Sequence, residues 1–421
     1  MCMKKPEILS PIQDFTSLTA AIDAGADAVF FGVIGFNMRV TAKNFTVLDI
    51  PLITEKAHAA GVKVYLALNT IVYQEELEEV RGVLEASLKA GVDAVICWDL
   101  SVVQIAKSIG LPIHLSTQAS VANAEAALFY KELGISRIVL ARECDLEQIK
   151  KIKEKADIEI EVFIHGAMCV SISGRCFMSQ FTTCHSANRG ECRQPCRRNY
   201  MIRDVEGQYE FEVGPNYVLS PKDICTLPFI EELVFAGIDC FKIEGRNKSA
   251  EYVAQVTSVY REVVDFVWDN KDRTETAKYK KELAELKEKH MKNLERVFTR
   301  GFSSGFFMGK PLNEWTNKYG NAGTERKVFI GKIVNVYKKI GVAEVHIQSN
   351  EQLKVGDEIY VQGEKTGIVR VSITSMEIEH KKVTSASQGE LVAIQVEGEV
   401  RKTDEVYRID PIECANPKNL Q

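Results

Sequence analysis

The chain lacks the features that would place it in or across a membrane. It has no run of the roughly eighteen apolar residues that a membrane-spanning helix needs. Its N-terminus, MCMKKPEILSPIQ, lacks the apolar core of a secretion signal. We therefore expect no membrane partner and a cytoplasmic location, where thiols stay reduced.

The chain also lacks a large excess of either charge. It contains 53 Lys and Arg against 58 Asp and Glu, which gives a formal net charge of -5. This balance argues against a general polyanion binder. A nucleic-acid site, if present, must be a local basic patch.

Familiar hydrolase motifs are missing as well. None of the seven histidines begins an HExxH motif, and there is no GxSxG and no Walker-type glycine loop. These absences argue against zinc-protease, serine-hydrolase and nucleotide-hydrolase machinery of the standard kinds.

What is present is a repeat of apolar runs that each end in a polar cluster and lead into an amphipathic helix. The runs are EILSPI, DAVFFG, KVYLALNT, DAVICWD, PIHLSTQAS, RIVLARE, IEIEVFIHG, YVLSPKD and CFKIEGR. Nearly continuous apolar runs are typical of parallel strands buried beneath helices. About eight such units favour an α/β fold with a TIM-barrel-like (β/α)8 domain over an open doubly wound sheet.

The pattern of predicted secondary structure changes near residue 325. Short, closely spaced strands follow, such as VFIGKIVNVY and DEIYVQG, which predict a small C-terminal antiparallel β-barrel domain. We predict a catalytic barrel over residues 1-265, a helical connector over 266-325 and the β-barrel domain over 326-421. The charged helix of the connector is interpreted as a solvated face.

Five of the eleven cysteines lie between residues 165 and 196, in what we call the cysteine loop (165-200). In a reducing compartment, clustered thiols indicate metal ligands or catalysis rather than disulfides. Four thiolates suit tetrahedral zinc or an iron–sulfur cluster. Only the last pair has the spacing of a structural zinc site, so the spacing favours a cluster, and zinc stays open. The candidate metal ligands are Cys169, Cys176, Cys192 and Cys196.

The cysteine loop is also locally basic, with six arginines against one acid between residues 169 and 203. Arg175, Arg197 and Arg198 are candidate substrate-binding residues, because arginine pairs with phosphate through two hydrogen bonds. Screening of an anionic cluster is the alternative role. Core packing is the expected role of Phe177, Phe181 and Tyr200, ahead of stacking on bases.

Polar residues close other predicted strands at the same end of the barrel. Glu244 and Arg246 end the run CFKIEGR, and Lys248 follows at the head of a helix. They predict a site for a small anionic substrate, with a structural ion pair as the alternative. Arg39 and Asn44 follow the second strand and are further candidate substrate-binding residues.

His165 is a candidate catalytic residue at the end of the strand that leads into the cysteine loop. It lies four residues after Glu161, so the alternation of a strand puts both on one face. We expect that face to be the barrel interior. A hydrogen-bonded structural histidine is the alternative.

Several segments together closely resemble the peptidase U32 family, also called collagenase-like proteases. They are EVFIHGAMCVSISGRCFMSQ, GECRQPCR, NMRVTAKNFT, LSPKDICTL, FKIEGRNKSAEYV and TRGFSSGFFMG, and they span nearly the whole chain. The order of segments is most similar to bacterial members linked to tRNA 5-hydroxyuridine synthesis. In those members the wobble uridine of tRNA is hydroxylated without molecular oxygen, with prephenate implicated as hydroxyl donor.

The resemblance implies a [4Fe-4S] cluster on the four candidate cysteines, with Cys240 as a possible substitute ligand and no counterpart for Cys184. It implies tRNA and prephenate as substrates and a possible partner protein of the same family. Glu244, Arg246 and His165 are the predicted catalytic residues. Hydroxylation of 23S rRNA, a role in ubiquinone synthesis and peptidase activity are the alternatives that the family leaves open.

Overall fold

The structure is a computed structural model that describes residues 4–40, 43–172, 174–198, 200–212, 219–318 and 320–412. The strands are β1 (Glu7–Pro11), β2 (Ala28–Phe31), β3 (Lys63–Ala67), β4 (Ala94–Cys97), β5 (Ile113–Leu115), β6 (Arg137–Val139), β7 (Glu159–Gly166), β8 (Met201–Arg203), β9 (Glu210–Glu212), β10 (Asp223–Cys225), β11 (Cys240–Ile243), β12 (Phe302–Ser303), β13 (Glu325–Tyr337), β14 (Val342–Ile347), β15 (Leu353–Lys354), β16 (Glu358–Gly363), β17 (Gly367–Ser372), β18 (Met376–Ile378), β19 (Lys381–Val383), β20 (Ser385–Ala386), β21 (Leu391–Gln395) and β22 (Glu405–Pro411). The α-helices are α1 (Phe15–Asp23), α2 (Ile50–Ala59), α3 (Leu77–Lys89), α4 (Leu100–Ile109), α5 (Ala124–Glu132), α6 (Leu146–Lys155), α7 (Met178–Thr183), α8 (Ile230–Phe235), α9 (Ala250–Asp269) and α10 (Ala277–Arg296).

Eight parallel strands close into a barrel. Their order is β11-β1-β2-β3-β4-β5-β6-β7, and β7 pairs in parallel with β11 to complete the ring. Strands β1 to β6 are each followed by one of the helices α1 to α6, β7 leads through the cysteine loop to α8, and β11 leads to α9. The prediction of a TIM-barrel-like domain is confirmed.

One apolar run of the sequence is not a barrel strand. The run YVLSPKD covers residues 217–223, and its last residue, Asp223, begins β10, which pairs antiparallel with the end of β7. Strand β12 then pairs with β10. These two short strands extend the sheet beside the mouth of the barrel.

The same helix-to-strand turn is used repeatedly, as the recurring sequence AG-x-DA predicts. Gly25 and Gly91 follow α1 and α3 with φ of 82° and 85°, a region where glycine carries no penalty. At the other end of α1 the Asp14 carboxylate accepts a hydrogen bond of 2.8 Å from the Ser17 amide. Local residues thus define both ends of this helix.

The main core lies between the barrel and its helices, and a smaller apolar cluster that includes Leu9, Tyr65 and Ile96 fills the barrel. Charged side chains share the interior: Arg137 pairs with Glu7 at 2.7 Å, and Lys242 with Glu161 at 2.7 Å. Such buried charges need partners, because each alone would lose its hydration.

The C-terminal region is an antiparallel sheet of eight strands, in the order β17-β16-β22-β13-β14-β21-β18-β19, around its own apolar core. No pairing joins the edge strands β17 and β19 within the described residues. The sheet contacts the barrel domain, where Lys327 pairs with Glu251 at 2.9 Å and Lys56 donates to the Glu364 carbonyl at 2.7 Å.

Helix α9 runs through the predicted boundary at residue 265. Across the described ranges, no helix combines the length and apolar character needed to span a membrane.

Candidate active site

A cavity of about 360 Å³ opens at the carboxyl ends of the barrel strands. Inward-facing residues of the strands form its floor, including Phe30, Phe163 and Lys242, and the loops after β2, β7 and β11 form its walls. The carboxyl end of the strands is where (β/α)8 enzymes bind their substrates. The cavity is therefore the candidate active site.

Four cysteines of the cysteine loop line this cavity: Cys169, Cys176, Cys192 and Cys196. Each carries a free, half-buried thiol, and none of the four is part of a disulfide. The backbone amide of Met178 donates to the sulfur of Cys176, and that of Gln194 donates to the sulfur of Cys192. Both nitrogen–sulfur distances are 3.4 Å. Amide hydrogen bonds of this kind surround the sulfurs of metal clusters and tune their potentials.

The surroundings of Cys196 include the other three thiols. Burial raises the pKa of Cys196, the Arg197 guanidinium opposes this shift, and the other three thiols raise the pKa further. No group of three or more His, Cys, Asp or Glu side chains in the described part of the chain is arranged to hold a single metal ion. The four thiols are the side chains that could serve as soft ligands of a larger metal centre.

The two other cysteines considered as ligands lie elsewhere. Cys184 is exposed after α7 and does not line the cavity. Cys240 is fully buried among the apolar side chains inside the barrel. The structure therefore does not bring either thiol to the four that share the cavity.

Glu244 is the only acidic side chain among the described lining residues. It accepts two hydrogen bonds from Arg39, of 2.9 Å from Nη2 and 3.3 Å from Nε. Burial alone would raise the pKa of Glu244, but the guanidinium groups of Arg39, Arg246 and Arg142 lower it to about 2. The carboxylate is thus ionised at any physiological pH and holds Arg39 in place.

Arg246 lies beside this pair, with its guanidinium carbon 5.6 Å from the centroid of the Phe30 ring. Its side chain lines the cavity and is buried, and among the described residues Nε and Nη1 have no hydrogen-bond acceptor. Burial, followed by repulsion from Arg39, lowers the pKa of Arg246 to about 10, so the group remains charged at neutral pH. Buried donors without an acceptor are costly to folding, and an anionic ligand would satisfy them.

Lys248 adds a further cation, one whose charge depends on pH. Its Nζ lies 3.0 Å from the centroid of the Phe298 ring and lines the cavity. Burial lowers the pKa of Lys248 to about 7. The amine therefore titrates in the physiological range.

Arg142 and Lys242 line the same cavity, and the sequence interpretation did not select them. Arg142 follows β6 and donates to the Ala167 carbonyl at 2.8 Å, while Lys242 interrupts the apolar strand β11. The signal for Arg142 was the polar cluster that ends RIVLARE. The signal for Lys242 was a lysine within a strand that is otherwise apolar.

Asn44 supports the loop that carries Arg39 and does not line the cavity. Its Nδ2 donates to the Arg39 carbonyl at 3.0 Å, and its Oδ1 accepts from Asn37 at 3.1 Å. Asn37 in turn accepts from the Arg39 amide at 2.8 Å. Asn44 therefore acts on the site by positioning Arg39.

The three predicted arginines of the cysteine loop have different surroundings. Arg197 lines the cavity and ties the loop to the segment before β10 through hydrogen bonds of 2.7 Å to Ser220 Oγ and 2.6 Å to the Pro221 carbonyl. Arg175 packs on the Trp98 ring and donates to the Gln118 carbonyl. Arg198 is exposed. The structure brings only Arg197 to the cavity.

His165 lies outside the barrel, away from the cavity lining. Its ring packs against Tyr252, Tyr260 and Phe302, and its Nδ1 lies 3.3 Å from the Tyr260 hydroxyl. Burial lowers the pKa of His165 to about 3, so the ring is neutral.

A β-bulge explains this placement. Phe163 pairs with Lys242, but His165 pairs with Ile243, so one extra residue lies in β7. An extra residue reverses the facing of every later side chain. Glu161 and Phe163 therefore face inward, while His165 faces the outer helices, contrary to the expected interior position.

Comparison with known proteins now places the chain in a family. The sequence profile of peptidase family U32 matches residues 13–317. The chain belongs to peptidase family U32.

U32 proteins similar to this chain carry different names. A protein of Methanocaldococcus jannaschii called an uncharacterized protease is 42% identical over 95% of this chain and 97% of its own length. A collagenase of Porphyromonas gingivalis is 38% identical over 96% of this chain and 98% of its own. The tRNA hydroxylation protein P1 of Bacillus subtilis is 35% identical over 85% of this chain and 83% of its own.

Proposed function

We propose that this U32 protein is an RNA-modifying enzyme that hydroxylates the wobble uridine of tRNA at C5 without molecular oxygen, with prephenate as the hydroxyl donor. The observation that carries the proposal is the cavity at the barrel mouth, where four free thiols face a cluster of cations around one carboxylate. The similarity to a relative named for tRNA hydroxylation supports the choice of substrate.

The cations of the cavity suit a small donor that carries two carboxylates, as prephenate does. Arg246 has unpartnered buried donors, and Lys248 adds a nearby positive charge. Arg39 is already held by Glu244, so it keeps a fixed orientation while a donor binds. In this proposal Arg246 and Lys248 bind the donor, and the Glu244–Arg39 pair positions it.

We further propose that Cys169, Cys176, Cys192 and Cys196 hold a [4Fe-4S] cluster. A single zinc ion needs all four sulfurs at about 2.3 Å from one point, whereas a four-iron cluster offers each sulfur its own iron. The amide hydrogen bonds to Cys176 and Cys192 support thiolate ligands of either kind. When bound, a cluster would supply electron transfer or a Lewis-acidic iron at the cavity wall.

Peptidase activity is the second candidate, because similar proteins are named collagenase and protease. The cavity does not favour it. No histidine is among the described residues that line the cavity, and His165 is neutral and buried outside the barrel. A nucleophile activated by a histidine base therefore has no basis in the described site.

Nucleoside mass spectrometry of tRNA tests the proposal. Cells lacking the gene and any redundant enzyme should lose 5-hydroxyuridine, and the wild-type gene should restore it. The Cys192→Ala variant should restore nothing and should lose iron on anaerobic purification. Cys184→Ala is the matched control, because its thiol is exposed and away from the cavity. Unchanged hydroxyuridine in the deletion strain would refute tRNA hydroxylation, and cleavage of gelatin by metal-free protein would favour the peptidase.

A further inference from the structure

Two phenylalanines of the cysteine loop are exposed to solvent instead of buried in the core. Phe177 is 64% exposed and Phe181 is 85% exposed. They are four residues apart at the start of α7, and their ring centroids are 6.2 Å apart. The sequence-based expectation of core packing is therefore wrong for both. Two adjacent exposed aromatic rings are a costly feature that indicates a binding surface.

These two rings, which we call the aromatic pair, stand at the rim of the candidate active site. The residues on either side of Phe177, Cys176 and Met178, both line the cavity, as does Ser179 of the same helix. Neither phenylalanine is itself part of the lining. A ligand that reaches the aromatic pair and the cavity together must therefore extend beyond the cavity.

The charges around the aromatic pair favour a polyanion. Arg193 is exposed beside α7, where its amide donates to Ser179 Oγ at 3.0 Å, and Arg198 is exposed further along the loop. Within the described residues neither guanidinium has an acidic partner. Covering these charges with an ordinary protein surface would leave them desolvated and unpaired. Phosphates would neutralise them.

We propose that the aromatic pair stacks on the unpaired nucleobases that flank the target base of a single-stranded RNA segment, while Arg193 and Arg198 contact its phosphates. This inference rests on the proposed RNA substrate and adds the surface that recognises it. Stacking on aromatic rings tolerates any base, because every base has a π face. The aromatic pair therefore selects unpaired loops over duplexes, and the cavity selects the base that enters it.

Binding of a stem–loop RNA with a uridine in its loop tests this inference. We expect the anaerobically purified wild-type protein to bind it, and Phe177→Ala and Phe181→Ala each to weaken binding by about fivefold or more. Phe177→Tyr and Phe181→Tyr keep the ring and should bind like wild type. Phe129→Ala is the matched control, because Phe129 is 60% exposed on α5 and does not line the cavity.

Abasic substitution in the RNA identifies the contact. Removing the bases beside the target uridine should weaken binding to the wild type, but should have little further effect on the Phe177→Ala/Phe181→Ala variant. If the abasic substitution weakens binding to the double variant as much as it weakens binding to the wild type, the inference is overturned. So would unchanged RNA affinity in the alanine variants, or a loss of self-association in place of a loss of RNA binding.

The outcomes separate this inference from the proposed function. If wild-type protein hydroxylates RNA but the alanine variants bind and react normally, the surface is wrong and the proposed function stands. If wild-type protein stacks on the loop RNA as described but hydroxylates no tRNA, the surface stands and the proposed function fails. If wild-type protein binds no RNA, both fail.

Discussion

Arg246 shows how one side chain can be poor for stability and useful for binding. Its guanidinium is buried, and two of its nitrogens have no acceptor in the described part of the chain. We expect Arg246→Met to change the free energy of unfolding little, because the loss of two unsatisfied buried donors offsets the lost attraction to Glu244. The same variant should bind the dicarboxylate donor about 100-fold more weakly, since a buried charge-assisted hydrogen bond is worth about 3 kcal/mol.

Urea unfolding and calorimetric titration with prephenate measure the two effects of Arg246→Met. Arg246→Lys is the control, because it keeps the charge and loses the paired hydrogen bonds. A large loss of stability with unchanged donor binding would make Arg246 a structural residue.

Lys248 predicts a pH dependence of donor binding. Burial lowers the pKa of Lys248 to about 7, so the amine is charged below that pH and neutral above it. Affinity for an anionic donor should therefore fall as the pH rises through about 7. Lys248→Arg stays charged across this range, so its affinity should not change there. Titrations of both proteins from about pH 6 to 8 measure the effect, and identical profiles would contradict it.

At the scale of elements, strand β7 decides what reaches the site. Its bulge turns His165 outward while Phe163 stays in the cavity. The strand ends at Gly166, whose φ is 104°, and a Cβ atom there would lie 2.3 Å from the Glu244 carbonyl oxygen. The close approach of β7 and the loop after β11 therefore brings the cysteine loop against Glu244.

Gly166→Ala tests this packing. We expect it to lower the free energy of unfolding by about 2 to 4 kcal/mol, because the positive φ and the clash with a backbone atom add. Gly61→Ala is the matched control: its φ is 73°, but no atom of the described residues lies within 4 Å of the added Cβ. The control should cost only about 1 kcal/mol. Urea unfolding measures both variants. If Gly166→Ala and Gly61→Ala lower the free energy of unfolding equally, the contact between Gly166 and the Glu244 carbonyl is not tight.

At the scale of the whole molecule, the sign of the net charge is opposite to the sign of the charges exposed on the cysteine loop. The chain is acidic overall, with a formal charge of -5, while Arg193 and Arg198 are exposed on the cysteine loop. RNA binding should therefore depend on few phosphates. With about four contacts, affinity should fall roughly fiftyfold from ~50 to ~200 mM salt.

The double variant Arg193→Gln/Arg198→Gln should lower the slope of log affinity against log salt by about 1.4, since each phosphate contact contributes about 0.7. Fluorescence anisotropy with the stem–loop RNA measures the slope. Lys281→Gln/Lys292→Gln is the control, because both lysines are exposed on α10. An unchanged slope in the arginine variant would remove these arginines from the RNA contacts.

Local patterns by themselves determined the barrel, the glycine turns between its units and the position of the thiols after a strand. Each depends on residues close in sequence, such as the apolar run before Cys169 or the glycine after α1. The segments that resemble U32 proteins also lie within short stretches, so family membership was readable from the sequence.

Only the tertiary structure decided which side chains face the cavity. The alternation of β7 predicted an inward His165, but pairing with β11 introduces a bulge that reverses it. Phenylalanine is a residue type that usually packs in the core, but Phe177 and Phe181 are exposed because no other segment of the described chain covers them. Glu244 and Arg246 follow the same strand, yet Arg39, from a loop about 200 residues earlier, pairs with Glu244, while two nitrogens of Arg246 have no acceptor among the described residues. Such pairings depend on distances between segments remote in sequence, which local periodicity does not encode.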